Sequence, residues 1–401
     1  MRRQKNLAVS KQTRLKDDII MRYEMNLNDK NDNKASGMRT GKKVRTPRQR
    51  REYKRSIAIM FFAMLSFIAI AGCLVIFCYY RLENNRLRRQ MEEVTQDGSV
   101  TYTQEELNTL LDNARQNGYQ EAAQEYLSTL KNRMMSGEGT ISMLRYFFPD
   151  QIVFAADGGY HFIPIDEQLT RHPYQTENLT VSENGVYEYY ENGNKVSHKG
   201  IDVSSFQGEI DWESVANDGV EFALIRMGIR GYGTGKLVVD EQFEANMAGA
   251  IAAGLDVGVY FFSAAISEEE AMEEADFVLE ALAPYGMKCT VALDIEDVNS
   301  SSARTNGLTR EQWTDQAITF CERIRQEGYS PMIYGNLQSF MLMLDLTRLE
   351  EYEKWFAAYI PYFYYPYEFQ VWQYSDTGTV NGISEPVDLN ISFYDWSSQK
   401  K

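Results

Sequence analysis

The clearest chemical signal in the sequence is the string VALDIED at residues 291–297, where an apolar run ends in Asp294 and Glu296. Side chains two positions apart on a strand share one face and lie about 6.6 Å apart along the backbone. Two such carboxyl groups repel each other, so one can stay protonated while the other is ionised. Cleavage of a glycosidic bond uses a pair of this kind. Taken alone, the string fits a solvated loop at a strand end equally well.

Two further carboxyl groups lie in apolar, strand-like segments: Asp202 in KGIDVSSFQG and Asp388 in EPVDLNISFYDW. From Lys199 onward, strand-like runs such as FALIRMG and DVGVYFF alternate with helix-like runs. This rhythm predicts an α/β fold, with a TIM-like barrel as the leading architecture and a doubly wound sheet as the alternative. In a barrel the first and last strands are neighbours, so Asp202 and Asp388 would meet the pair at 294 and 296.

The charge distribution divides the chain before Ser56. Residues 1–55 hold 18 Lys or Arg and 6 Asp or Glu, a net charge of +12, and the remainder carries a net charge of -28. Residues 57–80 contain no charged side chain and are long enough to cross a bilayer as a helix. The sequence therefore predicts a basic, disordered tail at 1–55 and a transmembrane signal-anchor helix at 56–80. The positive-inside rule places the amino terminus in the cytoplasm and the rest of the chain outside the cell membrane.

Two connecting regions precede the α/β part. Residues 81–150 have apolar residues at roughly helical spacing, interrupted at Gly118, with Thr103 and Glu106 as a candidate capping box. We expect a helical stalk here, with self-association as a possibility. Residues 151–198 contain short β-like runs and two Asn-Gly hairpin signals, at 184–185 and 192–193, and we expect a small β-rich linker.

Residues from about Lys199 to Trp396, half of the chain, resemble the glycoside hydrolase family 25 lysozymes, the N-acetylmuramidases of the cellosyl or Chalaropsis type. The resemblance rests on motifs in the order typical of the family: GIDVSSFQGEIDW, FALIRMG, DEQFEANMAGAIAAGLDVGVYFF, VALDIED, PMIYGN, WFAAY, VWQYSDTGTVNGI and VDLN. It implies a modified barrel at 199–397 with about eight strands and fewer helices than the eightfold fold. It also implies hydrolysis of the β-1,4 bond between N-acetylmuramic acid and N-acetylglucosamine in peptidoglycan.

Carried over to this sequence, the resemblance makes Glu296 the general acid and Asp294 its partner. Asp294 would orient the substrate acetamido group as internal nucleophile or stabilise the oxocarbenium-like state. Asp202 and Asp388 would complete the acidic rim. Four aromatic residues are candidates for stacking on sugar rings, with core packing as the alternative: Tyr260, Tyr334, Tyr359 and Trp372.

Arg226 stands at a strand end, where it could pair with the acidic rim or serve as a structural counter-ion. One departure from the family pattern is visible, because Phe261 stands where many members have His. This substitution puts local hydrogen bonding or substrate preference in doubt.

Other classes of site receive little support from the composition. The basic tail has no nucleic-acid reading motif, and topology explains its charge. The three His residues are not clustered, so neither a metal nor another cofactor is expected. Cys289 and Cys321 are predicted to be buried thiols. Two alternatives to a muramidase remain: an inactive wall-binding scaffold and a hydrolase of another glycan.

Overall fold

The computed structural model describes residues 73–89, 102–394 and 396. These residues divide into two compact units, one ending at Pro149 and the other beginning at Asp150. The predicted tail at 1–55 and residues 56–72 of the predicted transmembrane helix lie outside the described residues. Within the part that is described, no helix is both long and apolar enough to cross a membrane.

The first unit is helical. Its elements are α1 (73–89), α2 (Gln104–Met135) and α3 (Thr140–Phe147). The predicted capping box is confirmed: the Thr103 hydroxyl accepts a hydrogen bond from the Glu106 N–H, and the Glu106 carboxylate accepts one from the Thr103 N–H. The expected interruption at Gly118 is wrong, because α2 runs through it. A Cβ at Gly118 would lie 2.7 Å from the Tyr80 hydroxyl oxygen, so the glycine makes room for this ring.

The second unit is built around a nine-stranded sheet, of which eight strands close into a barrel. Its strands are β6 (His198–Val203), β7 (Phe222–Arg230), β8 (Leu237–Val239), β9 (Asp256–Phe262), β10 (Thr290–Asp294), β11 (Ser330–Asn336), β12 (Glu353–Ala357), β13 (Val371–Gly378) and β14 (Val387–Ser392). Following the sheet, the order is β6, β14, β13, β12, β11, β10, β9, β7 and β8, and β6 also pairs with β7. Neighbouring barrel strands are parallel, except that β14 is antiparallel to both β13 and β6.

Helices cover only part of the barrel. They are α4 (Trp212–Asn217), α5 (Phe243–Ala252), α6 (Glu268–Leu282) and α7 (Arg310–Gln326). Between β11 and β12 the described chain forms only short π and 3-10 turns, at Ser339–Met343 and Leu346–Arg348. The expected barrel of about eight strands with fewer than eight helices is therefore confirmed, and the doubly wound sheet is wrong.

Strand alternation sorts the side chains between the inside of the barrel and its outer surface. One buried cluster, which includes Phe222, Trp355 and Trp396, fills the interior. Gly200 on β6 makes this filling possible, because a Cβ there would overlap the ring of Phe222. The larger cluster packs the outer surface of the strands, and both Cys289 and Cys321 lie in it as buried free thiols, as predicted.

Residues 151–198 form two small sheets that belong to the barrel unit. These are a hairpin of β1 (Gln151–Ala156) and β2 (Gly159–Pro164), and a sheet of β3 (Leu179–Val181), β4 (Tyr187–Glu191) and β5 (Asn194–Lys195). Asn192 and Gly193 both have positive φ, at 51° and 82°, so the predicted hairpin turn is confirmed.

This β-rich region is more than a linker. The Tyr174 hydroxyl donates to the Phe369 carbonyl at 3.0 Å, and the ring of Tyr187 stacks on that of Tyr374 at 4.4 Å. The side chain of Tyr189 is buried in the outer core of the barrel. Residues 151–198 therefore share the hydrophobic core of the barrel.

Candidate active site

The four predicted carboxyl groups lie around one end of the barrel. Asp202 on β6 and Asp388 on β14 are register partners across two antiparallel strands. Asp294 is the last residue of β10, and Glu296 follows two residues later. All three aspartates are buried, whereas Glu296 is partly exposed. The parallel strands of the barrel bring their carboxyl ends to this rim, and the antiparallel β14 brings its amino end, where Asp388 lies. Residues so distant in sequence therefore meet here.

Two tyrosines of the barrel interior lie within the electrostatic field of these carboxylates. Burial is the main cause that raises the pKa of Tyr260 well above its ordinary value of 10, and Asp202, Asp294 and Asp388 raise it further. Burial likewise raises the pKa of Tyr334, with added contributions from Glu296 and Asp294. Both phenols therefore remain protonated at neutral pH and can donate hydrogen bonds at the rim.

Asp202 is held by two side-chain amides. Gln373 Nε2 and Asn390 Nδ2 each donate to Asp202 Oδ2 at 2.8 Å. All three side chains are buried, and hydrogen bonds of this kind to a charged group contribute about 1.5–3 kcal/mol each. Asp202 is therefore fixed in orientation as an acceptor at the rim.

The two amides are in turn oriented by other residues. Gln373 Oε1 accepts hydrogen bonds from the hydroxyls of Tyr334 and Tyr359, both at 2.9 Å. Asn390 Oδ1 accepts one from Trp355 Nε1 at 2.7 Å. Because each amide oxygen already faces a donor, each amide nitrogen must face Asp202. The network connects β6, β11, β12, β13 and β14 across one end of the barrel.

Of the predicted sugar-stacking residues, Tyr359 has the placement best suited to that role. It follows β12, the residue is 47% exposed, and its hydroxyl donates to Gln373. Tyr260 and Tyr334 pack on Trp355 inside the barrel, with ring centroids 5.7 and 4.4 Å from it. The Tyr334 hydroxyl donates to Gln373 Oε1, and the Tyr260 hydroxyl lies in the electrostatic field of the rim carboxylates.

Trp372 does not lie in the groove, which corrects its prediction as a stacking residue. It is 1% exposed and belongs to the outer core, where it packs on Phe363 and Tyr187. Its neighbour Gln373 takes the inward position, because successive residues of β13 point to opposite sides of the strand.

Arg226 pairs with a carboxylate that the sequence did not single out. Its Nε donates to Asp240 Oδ2 at 2.8 Å, and its Nη2 donates to Ser205 Oγ at 3.1 Å. Arg226 also lowers the pKa of Tyr260 through its charge, so it lies close to the rim. This geometry supports the interpretation of Arg226 as a structural counter-ion, and the carboxylate that it balances is that of Asp240.

Phe261, the departure from the family pattern, also faces outward. Its side chain is buried in the outer core, and its ring meets that of Phe277 on α6 edge-on at 6.2 Å. The substitution therefore affects packing beneath α6, and the groove face of β9 is formed by Tyr260.

Three residues of the network were missed by the sequence reasoning: Gln373, Asn390 and Trp355. Asn390 could have been found, since it stands two positions after Asp388 and must share its face of β14. Over the described residues, no group of three or more His, Cys, Asp or Glu is arranged to hold a metal ion.

Comparison with known proteins places this barrel in a family. A family model described as Glycosyl hydrolases family 25 matches residues 201–383. The uncharacterized protein YegX of Escherichia coli (strain K12) is 30% identical over 202 residues, which cover 48% of this chain and 68% of that protein. The chain belongs to glycosyl hydrolase family 25. The resemblance seen in the sequence motifs is thus confirmed.

Other similar proteins carry lysozyme names. The autolytic lysozyme of Clostridium acetobutylicum is 27% identical over 193 residues, covering 48% of this chain and 55% of that protein. The chain thus spans about half the length of this relative. The crystal structure of the bacterial lysozyme from Streptomyces coelicolor has 26% identity and a TM-score of 0.38, and the match covers 50% of this chain and 94% of that one.

The family match and the active site do not have the same limits. Residues 201–383 include Asp202, Asp294 and Glu296, but they end before Asp388. They also leave out the β-rich region at 151–198, which packs on the barrel. The structural unit is therefore larger than the family segment.

Proposed function

We propose that this chain is an N-acetylmuramidase that hydrolyses the β-1,4 bond between N-acetylmuramic acid and N-acetylglucosamine in peptidoglycan. The observation that carries the proposal is the meeting of four carboxyl groups at the rim of a family 25 barrel. The autolytic lysozyme and the Lysozyme M1 of Streptomyces globisporus, which is 29% identical over 204 residues, support it.

In this mechanism Glu296 is the general acid. It is the most exposed of the four carboxyl groups and lies on the loop after β10, where a glycosidic oxygen can reach it. Glu296 donates its proton to the leaving oxygen as the glycosidic bond breaks. The resulting carboxylate then takes a proton from the water whose oxygen bonds to the anomeric carbon, which restores the acid. A protonated acid beside ionised partners is the division of labour that glycosidic cleavage requires.

Asp294 acts on the opposite part of the reaction. Its buried carboxylate either holds the substrate acetamido group as it attacks the anomeric carbon or stabilises the positive charge that develops on the sugar ring. The hydroxyl of Tyr260 stays protonated beside it and can donate to a sugar oxygen, whereas that of Tyr334 donates to Gln373. Asp202 and Asp388 bind substrate or water, with Asp202 held in place by Gln373 and Asn390.

The test is analysis of reducing ends after the full-length protein, purified in detergent, has acted on peptidoglycan. We expect borohydride-reduced fragments that end in muramic acid, and we expect none from Glu296→Gln. Glu311→Gln, an exposed residue of α7, serves as the matched control and should match the wild type. Ends in reduced glucosamine would mean that a different bond is cut, and intact wall binding without new ends would favour a scaffold.

We also propose that residues 57–80 anchor the chain in the cell membrane, with residues 1–55 in the cytoplasm and the barrel facing the wall. The charge asymmetry and the uncharged stretch of the sequence support this topology. The helical stalk would then hold the enzyme near the membrane and could bring two copies together. Protease treatment of intact cells should remove the barrel unit from the membrane fraction. Recovery of a secreted form trimmed near the stalk would refute the anchor.

A further inference from the structure

The backbone just before Glu296 is anchored both to β11 and to the segment that follows it. The Ile295 N–H donates to the Tyr334 carbonyl at 3.2 Å, and the Ser339 hydroxyl donates to the Ile295 carbonyl at 2.6 Å. Ser339 is fully buried, so no water competes for this carbonyl. The peptide unit that joins Ile295 to Glu296 is thus held by a side chain from outside its own strand.

Asp297, the residue after Glu296, is also held by the segment that follows β11. Gln338 Nε2 donates to Asp297 Oδ2 at 3.2 Å and also lies 3.4 Å from Asp157 Oδ1. Asp157 is at the tip of the β1–β2 hairpin, where its φ of 52° and the 76° of Gly158 form the tight turn. The hairpin therefore reaches the loop that carries Glu296, although it lies outside the residues matched by the family.

The segment that makes these contacts is itself fixed by its sequence. Asn336 Oδ1 accepts hydrogen bonds from the N–H groups of Gln338, at 2.8 Å, and Ser339, at 3.1 Å. Gly335 permits the close approach, since a Cβ there would lie 2.8 Å from Ser339 Cβ. Both side chains are thus presented toward residues 295–297 before any substrate arrives.

We propose that Ser339 and Gln338 are positioning residues for Glu296, and that Asp157 of the β1–β2 hairpin supports Gln338 in this task. The inference rests on the proposed function, in which Glu296 is the acid. A general acid must lie within hydrogen-bond reach of the oxygen that it protonates, and a displacement of about 1 Å can lower the rate about 100-fold. Glu296 is partly exposed, so its backbone anchors limit where its carboxyl group can go.

Ser339→Ala tests the inner anchor. We expect kcat to fall roughly 10- to 100-fold while KM changes less than about twofold, because the acid acts in the transition state more than in binding. Ser392→Ala is the matched control: Ser392 is also fully buried, but its hydroxyl accepts from Trp396 Nε1 at the other end of the barrel. The control should lose a comparable amount of thermal stability and keep its kcat.

Gln338→Met and Asp157→Gly test the outer anchor, since glycine adopts the positive φ of Asp157 without strain. Each should lower kcat by roughly 3- to 10-fold with little change in melting temperature, because these side chains are not part of the core. The double variant should be no worse than Gln338→Met, since Asp157 acts through Gln338. Additive losses would overturn the assigned order of contacts, and unchanged kcat in Gln338→Met would remove Gln338 from the proposal.

Hydrogen–deuterium exchange in the full-length protein separates this inference from the proposed function. The amides of residues 295–298 should exchange faster in Ser339→Ala than in the wild type or in Ser392→Ala. Unchanged exchange would overturn the anchor, even if the wild type proved to be an active muramidase. Faster exchange with no new reducing ends from the wild type would leave the anchor in place and refute the muramidase.

Discussion

The amide of Gln373 is the centre of the hydrogen-bond network at the rim, and replacing it by methionine gives a quantitative prediction. Gln373→Met keeps nearly the same length of side chain at a position that is 1% exposed. The change removes the donor to Asp202 and the acceptor that Tyr334 and Tyr359 share. The expected loss comes from these three hydrogen bonds, with little contribution from a cavity.

The magnitude follows from the environment of each partner. The hydrogen bond to the Asp202 carboxylate contributes about 1.5–3 kcal/mol, and leaving the buried Tyr334 hydroxyl without its acceptor costs about 1 kcal/mol more. Tyr359 is half exposed, so water replaces its lost acceptor. We therefore expect the free energy of unfolding to fall by about 2.5–4 kcal/mol, or roughly 5–16 °C in melting temperature.

Tryptophan fluorescence is a suitable assay, because all five tryptophans lie in the barrel unit. Gln316→Met on α7 is the matched control: Gln316 is also buried, and its Oε1 accepts no hydrogen bond from the described part of the chain. The control should change the melting temperature by only a few degrees. A Gln373→Met protein as stable as the control would refute the argument that the network stabilises the barrel.

Gln373→Glu tests the orientation of the amide. The substitution places a second carboxylate against Asp202, so at neutral pH the Gln373→Glu protein should be less stable than Gln373→Met. Its stability should rise as the pH is lowered, because one of the two carboxyl groups then takes up a proton. If Gln373→Glu is the more stable of the two at neutral pH, the Gln373 amide nitrogen does not face Asp202.

Other predictions concern single side chains. If the exposed ring of Tyr359 stacks on sugar, Tyr359→Ala should raise KM on peptidoglycan roughly 2- to 10-fold, whereas Tyr359→Phe should leave KM unchanged. Trp372 lies in the outer core, so Trp372→Phe should lower the melting temperature and leave KM unchanged. Gly200→Ala should destabilise the barrel by about 1–3 kcal/mol in the same fluorescence assay, because its Cβ meets the Phe222 ring. Burial lowers the pKa of His172 from 6.5 to about 4, so its contribution to stability is present above pH 6.5 and is lost as the pH falls through 4. His172→Phe should remove up to about 3 kcal/mol of this acid sensitivity in melting curves recorded between pH 7 and pH 4.

The acidic rim could be predicted because two simple rules apply to it. Asp294 and Glu296 are two residues apart at a strand end, and the closure of a barrel makes its first and last strands neighbours, which joins Asp202 to Asp388. The network behind Asp202 could not be predicted in the same way. The strands of a parallel barrel are buried on both sides, so the sequence of β13 does not reveal whether Trp372 or Gln373 points inward.

The amino-acid sequence by itself determined the alternation of strands and helices, the capping of α2, the Asn192-Gly193 turn and the motifs of family 25. These features depend on residues close together in the chain. Tertiary structure alone decided that Gly118 accommodates Tyr80, that residues 151–198 share the barrel core, and that Asp157, Gln338 and Ser339 surround the loop of Glu296. Each of these contacts joins segments far apart in sequence, and its geometry exists only after the chain has folded.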